Sequence, residues 1–140
     1  MRVFVDTNLW VYRLDQRQPE KTHFVTGWLR QLAQEHDIVI STQVMIELRS
    51  VLTRKLTPTF SEQDTRIALR ALATFEVVGT HANLVLDAHE LAVAEQLSWF
   101  DALIAEATIR SRCGVLYSED FSHGRKLGQD LLVQNPLQDA

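Results

Sequence analysis

The sequence lacks the features that would place the protein outside the cell or in a membrane. Its single cysteine, Cys113, cannot close an intramolecular disulfide, and no Cys or His stands near it at zinc-finger spacing. Arg2 is followed by only three apolar residues before Asp6, too few for the core of a signal peptide. No apolar run approaches the ~18 residues of a membrane-spanning helix. We therefore expect a soluble cytoplasmic protein with no membrane partner.

Positive charge is also scarce. The chain has 18 Asp and Glu against 14 Lys and Arg, a formal net charge of -4. This is the wrong sign for a protein that holds nucleic acid by bulk electrostatics alone. Nucleic acid could still bind at a local basic face, or where metal ions reverse the sign of the field around clustered acids. The five histidines include no pair spaced by three or four residues, so a histidine-based metal site is not indicated.

Short apolar runs alternate with helical patterns along a chain of 140 residues, which is the length of one domain, residues 1–140. The apolar runs predict strands at residues 3–5, 38–40, 77–78, 115–117 and 131–133. Between the runs, the spacing of apolar residues and of capping residues predicts helices at 9–14, 20–35, 42 to Pro58, 62–75, 82–96 and 99–112, the last closed by Gly114. This alternation is typical of an α/β fold with a parallel sheet covered on both faces.

Four acids stand where such a sheet would gather them. Asp6 directly follows the first strand, and Asp120 lies just past the strand at 115–117. Glu47 is in the second turn of the helix after the second strand, and Asp101 is in the first turn of the late helix. Ligands of open parallel sheets bind beyond the carboxyl ends of the strands. We therefore expect the four acids at one edge of the sheet.

Each acid also has a purely structural interpretation. Asp6 could cap the first helix, and Asp101 stands three residues after Ser98, the spacing of a capping box. Glu47 could be a solvated helix residue, and Asp120 could belong to an ordinary turn. None of these signals is specific by itself.

The four acids together indicate a metal site. Converging carboxylates repel and raise one another's pKa, a cost that a cation removes. Hard oxygen ligands, without thiolates or paired histidines, suit Mg²⁺ or Mn²⁺. Such a site can activate water for phosphodiester hydrolysis, and the metal supplies positive charge where the phosphate must lie.

Several segments resemble the PIN domain, particularly the VapC-like toxins of bacterial toxin–antitoxin pairs. They follow the family's order from Val3 to Pro136 and read VFVDTNLWVY, VMIELRSVL, LSWFDALIAEA, GVLYSEDFSHG and LLVQNP. The resemblance implies an α/β/α sandwich around a central parallel β-sheet and Mg²⁺- or Mn²⁺-dependent cleavage of RNA. It further implies an endoribonuclease toxin that forms a homodimer and is blocked by a small antitoxin protein.

The resemblance also implies which residues form the site. Matched by motif, the metal-binding and catalytic acids of the family correspond to Asp6, Glu47, Asp101 and Asp120. Asn8 and Ser118 match positions that support the site by hydrogen bonding or through water. Glu119 could assist or replace Asp120, so the fourth position stays open. The departures from the family pattern, in the aromatic pair Trp99 and Phe100 and at Leu137, do not touch the acids.

Other classes of protein also place an aspartate after a first strand. A haloacid-dehalogenase-like phosphatase needs a second acid two residues later as general acid, where this chain has Asn8. A receiver-like signalling module needs a phosphoacceptor aspartate after a central strand, where this chain has Gly79 and Thr80. The alternative to an enzyme is a catalytically silent acidic module, receiver-like or a degenerate PIN domain, that binds metal or a protein partner.

Overall fold

The computed structural model describes residues 1–56 and 60–138 as alternating strands and helices. The strands are β1 (Arg2–Val5), β2 (Asp37–Ser41), β3 (Glu76–Val78), β4 (Val115–Tyr117), β5 (Lys126–Leu127) and β6 (Leu131–Gln134). The helices are α1 (Thr7–Leu14), α2 (Pro19–Glu35), α3 (Thr42–Arg54), α4 (Glu62–Leu72), α5 (Ala82–Glu95) and α6 (Trp99–Arg110). The expected helix end at Pro58 lies outside the described residues, and α3 ends before it.

The strands form one six-stranded sheet in the order β3-β2-β1-β4-β6-β5. All neighbouring pairs are parallel except β5 and β6, which are antiparallel. The expected α/β fold with flanking helices is confirmed, but the sheet is mostly rather than wholly parallel, because β5 was not expected from the sequence. From β1 the chain builds outward through β2 and β3, then returns to the other side of β1 with β4. This change of direction between β1 and β4 is the point where open α/β sheets bind ligands.

The central strands are buried on both faces, as their continuous apolar runs require. Val3, Phe4 and Val5 of β1 are fully buried, and so are Val39 and Ile40 of β2. The helices cover the sheet with apolar faces that include the buried side chains Leu9, Leu48, Leu84 and Ile104. Within residues 1–56 and 60–138, no helix is both long enough and apolar enough to cross a bilayer.

The ends of two helices test the capping residues expected from the sequence. Ser61 and Asp64 form both hydrogen bonds of a capping box at the start of α4. The expected closure of α6 by Gly114 is wrong, because the helix ends at Arg110 and the left-handed backbone belongs to Arg112, with φ of 61°. Glycine favours this conformation because it has no Cβ, so an arginine there is strained.

We predict that Arg112→Gly stabilises the protein. A left-handed backbone costs an L residue roughly 1 kcal/mol that glycine avoids. Arg112→Ala is the matched control, because it removes the same exposed side chain and keeps the Cβ. In thermal melts the glycine variant should be about 1 kcal/mol more stable than the alanine variant. Equal stabilities would contradict a strained backbone at this position.

Candidate metal centre

The carboxyl ends of β1 and β4 meet at the switch point of the sheet. Asp6 follows β1, and its backbone N–H donates to the carbonyl oxygen of Tyr117, the last residue of β4 (2.9 Å). A groove of about 370 Å³ opens over this point. The side chains that line it include all four acids expected from the sequence, together with one expected supporting residue: Asp6, Glu47, Asp101, Asp120 and Asn8.

Asp6 is buried at the base of the groove, with only 3% of its surface exposed. Its Oδ1 accepts a hydrogen bond from the N–H of Thr7 (2.7 Å), and its Oδ2 accepts one from the hydroxyl of Ser118 (2.7 Å). Burial, with a smaller effect of the carboxylates of Asp120 and Glu47, raises the pKa of Asp6 to about 7, although these two hydrogen bonds lower it. Asp6 therefore caps α1 and also lines the groove.

Glu47 is held on α3 by two polar neighbours. The hydroxyl of Thr7 donates to its Oε1 (2.7 Å), and the amide of Gln43 lies near its Oε2 (3.4 Å). The same Gln43 amide donates to the carbonyl oxygen of Phe100 (3.2 Å), which links α3 to the start of α6. Thr7 and Gln43 were not expected to act here. Gln43 precedes Glu47 by one helical turn, and this spacing is the only signal in the sequence that could have indicated it.

Asp101 lies at the start of α6 and Asp120 lies after β4, and both line the groove. The N–H of Asp101 donates to Ser98 Oγ (3.4 Å). Among the described residues, the Asp101 carboxylate accepts no bond from the backbone N–H of Ser98, so the capping box is incomplete. Burial raises the pKa of Asp101, the Ser98 hydroxyl beside its carboxyl lowers it, and the charge of Asp120 raises it. Asp120 is exposed, and its N–H donates to the hydroxyl of Ser118 (3.0 Å). Both carboxylates thus lie in the groove, whatever part Asp101 plays at the start of α6.

Ser118 is the polar contact shared by three groups of the site. Besides donating to Asp6 and accepting from the Asp120 backbone, its hydroxyl lies 3.4 Å from Asn8 Nδ2. The side-chain oxygen of Asn8 is buried and has no hydrogen-bond partner among the described residues. The structure therefore brings both residues expected to support the site next to its acids.

Glu119 also lines the groove, but its carboxylate is engaged. The Tyr12 hydroxyl donates to Glu119 Oε1, and Lys21 Nζ lies 3.4 Å from the Tyr12 oxygen and 4.6 Å from the centre of its ring. Burial and the hydrogen bond to Glu119 together raise the pKa of Tyr12 to about 12. Asp120 is the neighbour whose charge acts on both Asp6 and Asp101. These contacts favour Asp120 over Glu119 as the fourth acid.

The four acids offer the carboxylate oxygens that hard divalent cations such as Mg²⁺ prefer as ligands. None of them forms an ion pair with a Lys, Arg or His of residues 1–56 or 60–138. Their mutual repulsion is therefore not balanced within the described part of the chain. No three His, Cys, Asp or Glu side chains of that part are already close enough to enclose a metal ion. Mg²⁺ usually keeps several waters and takes one or two protein carboxylates, so an open arrangement does not conflict with it.

The sequence also matches a known family. Residues 3–126 match the sequence model described as the PIN domain. No curated protein sequence matches the chain significantly.

Solved structures share the fold across most of the chain. A chain of VapBC2 from Rickettsia felis, crystallised with a DNA fragment of the promoter, matches with a TM-score of 0.68 and 21% identity, covering 96% of this chain and 98% of that one. FitAcB from Neisseria gonorrhoeae matches with a TM-score of 0.65 and 18% identity, covering 97% of this chain and 99% of that one. VapC20 of Mycobacterium tuberculosis, a Sarcin-Ricin loop cleaving toxin, matches with a TM-score of 0.57 and 19% identity, covering 81% of this chain and 86% of that one. At these identities the likeness shows the fold alone.

We predict that the metal-free protein loses stability as the pH rises. With a pKa of about 7 in the folded protein and an ordinary value of 3.8, Asp6 binds a proton in the folded state over a range where the unfolded chain does not. The contribution of Asp6 to the free energy of unfolding should therefore fall between about pH 4 and 7 in EDTA, so wild type should lose stability relative to Asp6→Asn over this range. Asp6→Asn should flatten this dependence. Asp130→Asn, at an exposed position, is the control and should keep it. Parallel pH profiles of wild type and Asp6→Asn would show that Asp6 titrates normally.

Proposed function

The chain belongs to the PIN domain family, and on this basis we propose that residues 1–140 form one metal-dependent endoribonuclease domain. It would hydrolyse RNA phosphodiester bonds with Mg²⁺ or Mn²⁺. The observation that carries the proposal is that all four acids matched to the family's site line one groove at the switch point of the sheet: Asp6, Glu47, Asp101 and Asp120.

The chain's own residues would hold and orient the ion. Thr7 and Ser118 fix the carboxylates of Glu47 and Asp6 by hydrogen bonds from elements that pack together, so these two acids are in place before any cation arrives. Asp120 and Asp101 would complete the ligand set from the more open side of the groove. Bound there, Mg²⁺ or Mn²⁺ would lower the pKa of a water and stabilise charge on the leaving oxygen.

The raised pKa of Asp6 supports a cation as the missing partner. With a pKa of about 7, the metal-free carboxyl is only partly ionised at neutral pH. A neighbouring positive charge favours the ionised form, so Asp6 would release a proton when a cation binds. The same positive charge would offset the net charge of -4 where phosphate must approach.

We further propose that the chain is the toxin of a toxin–antitoxin pair, acts as a homodimer and is blocked by a small antitoxin protein. One structural neighbour is a toxin–antitoxin complex from Klebsiella pneumoniae, and VapBC2 from Rickettsia felis and FitAcB from Neisseria gonorrhoeae share the fold. Family membership argues against the receiver-like module and the phosphatase. The alternative that is left is a degenerate PIN domain that binds metal or a partner without cleaving RNA. Cleavage of RNA by the purified chain would exclude this alternative.

We predict that purified wild-type chain cuts total cellular RNA into discrete fragments with Mn²⁺ and not with EDTA. Asp101→Asn and Asp120→Asn should each lower the cleavage rate by at least about 100-fold, because each removes a metal charge at nearly constant volume. Glu119→Gln should retain most of the rate, since Tyr12 engages Glu119.

The matched control for this assay is Asp130→Asn, the same substitution at an exposed position outside the groove lining. Circular dichroism and thermal melts should show that all the variants are folded. Wild-type rates in folded Asp101→Asn would remove that residue from the mechanism. Loss of activity in Glu119→Gln with full activity in Asp120→Asn would reverse the assignment of the fourth acid.

The toxin proposal makes a separate prediction in cells. Expression of the wild-type chain alone should stop bacterial growth, because uncontrolled RNA cleavage is harmful. Asp101→Asn should restore growth at equal protein level, and Asp130→Asn should not. Equal growth arrest by wild type and Asp101→Asn would show that any toxicity arises outside this site.

A further inference from the structure

One face of α3 carries a row of residues along the groove. Gln43, Glu47 and Val51 stand four residues apart, and Lys55 follows at the same spacing as the C-terminal capping residue of the helix. At about 1.5 Å per residue the row is roughly 18 Å long. Glu47, Val51 and Lys55 line the groove, and Gln43 contacts both Glu47 and the Phe100 carbonyl. The groove therefore follows α3 from Glu47 toward Lys55, and Phe100 lines it on the side of Gln43.

Phe100 lies at the Gln43 end of this row. Its side chain is 63% exposed and lines the groove immediately before Asp101 in the chain. Its backbone is fixed at the start of α6 by the bond from Gln43 to its carbonyl oxygen (3.2 Å). Exposed aromatic rings beside a polar groove are the surfaces on which proteins stack unpaired bases. The metal site makes no use of this ring.

Lys55 lies at the other end of the row. The groove is lined by two basic side chains, Arg17 and Lys55. Arg17 is bound to the buried carboxylate of Asp15 by two hydrogen bonds of 2.8 and 2.9 Å, which balance its charge. Lys55 is exposed and forms no ion pair with any residue of the described ranges. Lys55 is thus the groove cation that is free to bind an anion.

We propose that Phe100 and Lys55 bind the RNA strand on opposite sides of the acids. Phe100 stacks on a base at one end of α3, and Lys55 contacts a phosphate at the other. The inference rests on the nuclease function proposed above and adds two binding residues to it. Because a base must leave its pair to stack on Phe100, the groove binds an unpaired strand in preference to a duplex.

The test measures binding and cleavage separately. Binding of a short fluorescein-labelled single-stranded RNA is followed by anisotropy, with Ca²⁺ replacing Mn²⁺, from about 50 to 200 mM salt. Cleavage of the same RNA is measured with Mn²⁺ to give kcat and KM. The variants are Phe100→Ala, Phe100→Trp, Lys55→Gln and Lys55→Arg. Controls at exposed positions outside the groove lining are Val93→Ala, which removes apolar surface, and Lys126→Gln, which removes a charge.

The two residues should give different signatures. Phe100→Ala should weaken RNA binding about fivefold or more and leave its salt dependence unchanged, and Phe100→Trp should restore the affinity. Lys55→Gln should weaken binding and reduce the slope of log K against log salt by about 0.7, and Lys55→Arg should keep the slope. For Phe100→Ala and for Lys55→Gln, KM should rise by a larger factor than kcat falls. A role in folding alone would not change the salt slope.

Several outcomes would overturn the inference. If wild type cleaves RNA and both Phe100→Ala and Lys55→Gln bind it normally, the two residues do not hold the strand, while the nuclease function stands. Equal binding of duplex and single-stranded RNA would contradict stacking. A change in sedimentation of Phe100→Ala without a change in RNA affinity would assign the ring to contact with a second copy of the chain.

The proposed nuclease function fails in a different way. One outcome is that wild type binds the RNA without cutting it while Phe100→Ala and Lys55→Gln bind it more weakly. In that case the groove binds RNA as inferred, but the chain is not a nuclease. If wild type neither binds nor cuts RNA, both the function and the inference are wrong.

Discussion

The carboxyl group of Asp6 is buried at the end of the central strand, where an ionised group is costly unless its oxygens are hydrogen-bonded. Both oxygens are bonded, one by the backbone of α1 and the other by Ser118 after β4. The start of α1 and the end of β4 must therefore meet β1 at this point. Thr7 extends the arrangement to α3 through Glu47. Satisfying one buried acid thus fixes the positions of the elements that carry the rest of the site.

The strands that carry this arrangement could be predicted from the sequence because they are buried on both faces. β1, β2 and β4 are continuous apolar runs, and each ends where the first polar residues begin. Once these runs are parallel neighbours, the residues after them must share one edge of the sheet. The convergence of Asp6 and Asp120 follows from that pattern, and Glu47 and Asp101 follow from the helices that begin at the same edge.

What the sequence could not predict depends on contacts between distant segments. β5 has two residues, too few for a periodic pattern, and it is a strand only because it pairs with β6. The left-handed backbone of Arg112 contradicts the preference for glycine, and it occurs where the chain turns from α6 toward β4. The bond between Thr7 and Glu47 joins residues 40 positions apart. Only the folded chain brings such pairs together, and for that reason Thr7 could not be predicted as the partner of Glu47.

The charges in the groove imply an order of events for the proposed nuclease. The carboxylates of Glu47 and Asp120 raise the pKa of Asp6, and the negative charges of these acids repel phosphate. Lys55, the basic side chain of the groove lining that forms no ion pair within residues 1–56 and 60–138, cannot outweigh them, so the strand binds weakly until a divalent ion neutralises the acids. Metal and RNA binding are then coupled, and by linkage the RNA must tighten metal binding by the same factor. A chain of net negative charge can in this way bind RNA at a groove lined by acids, because the metal supplies positive charge where the phosphate must lie.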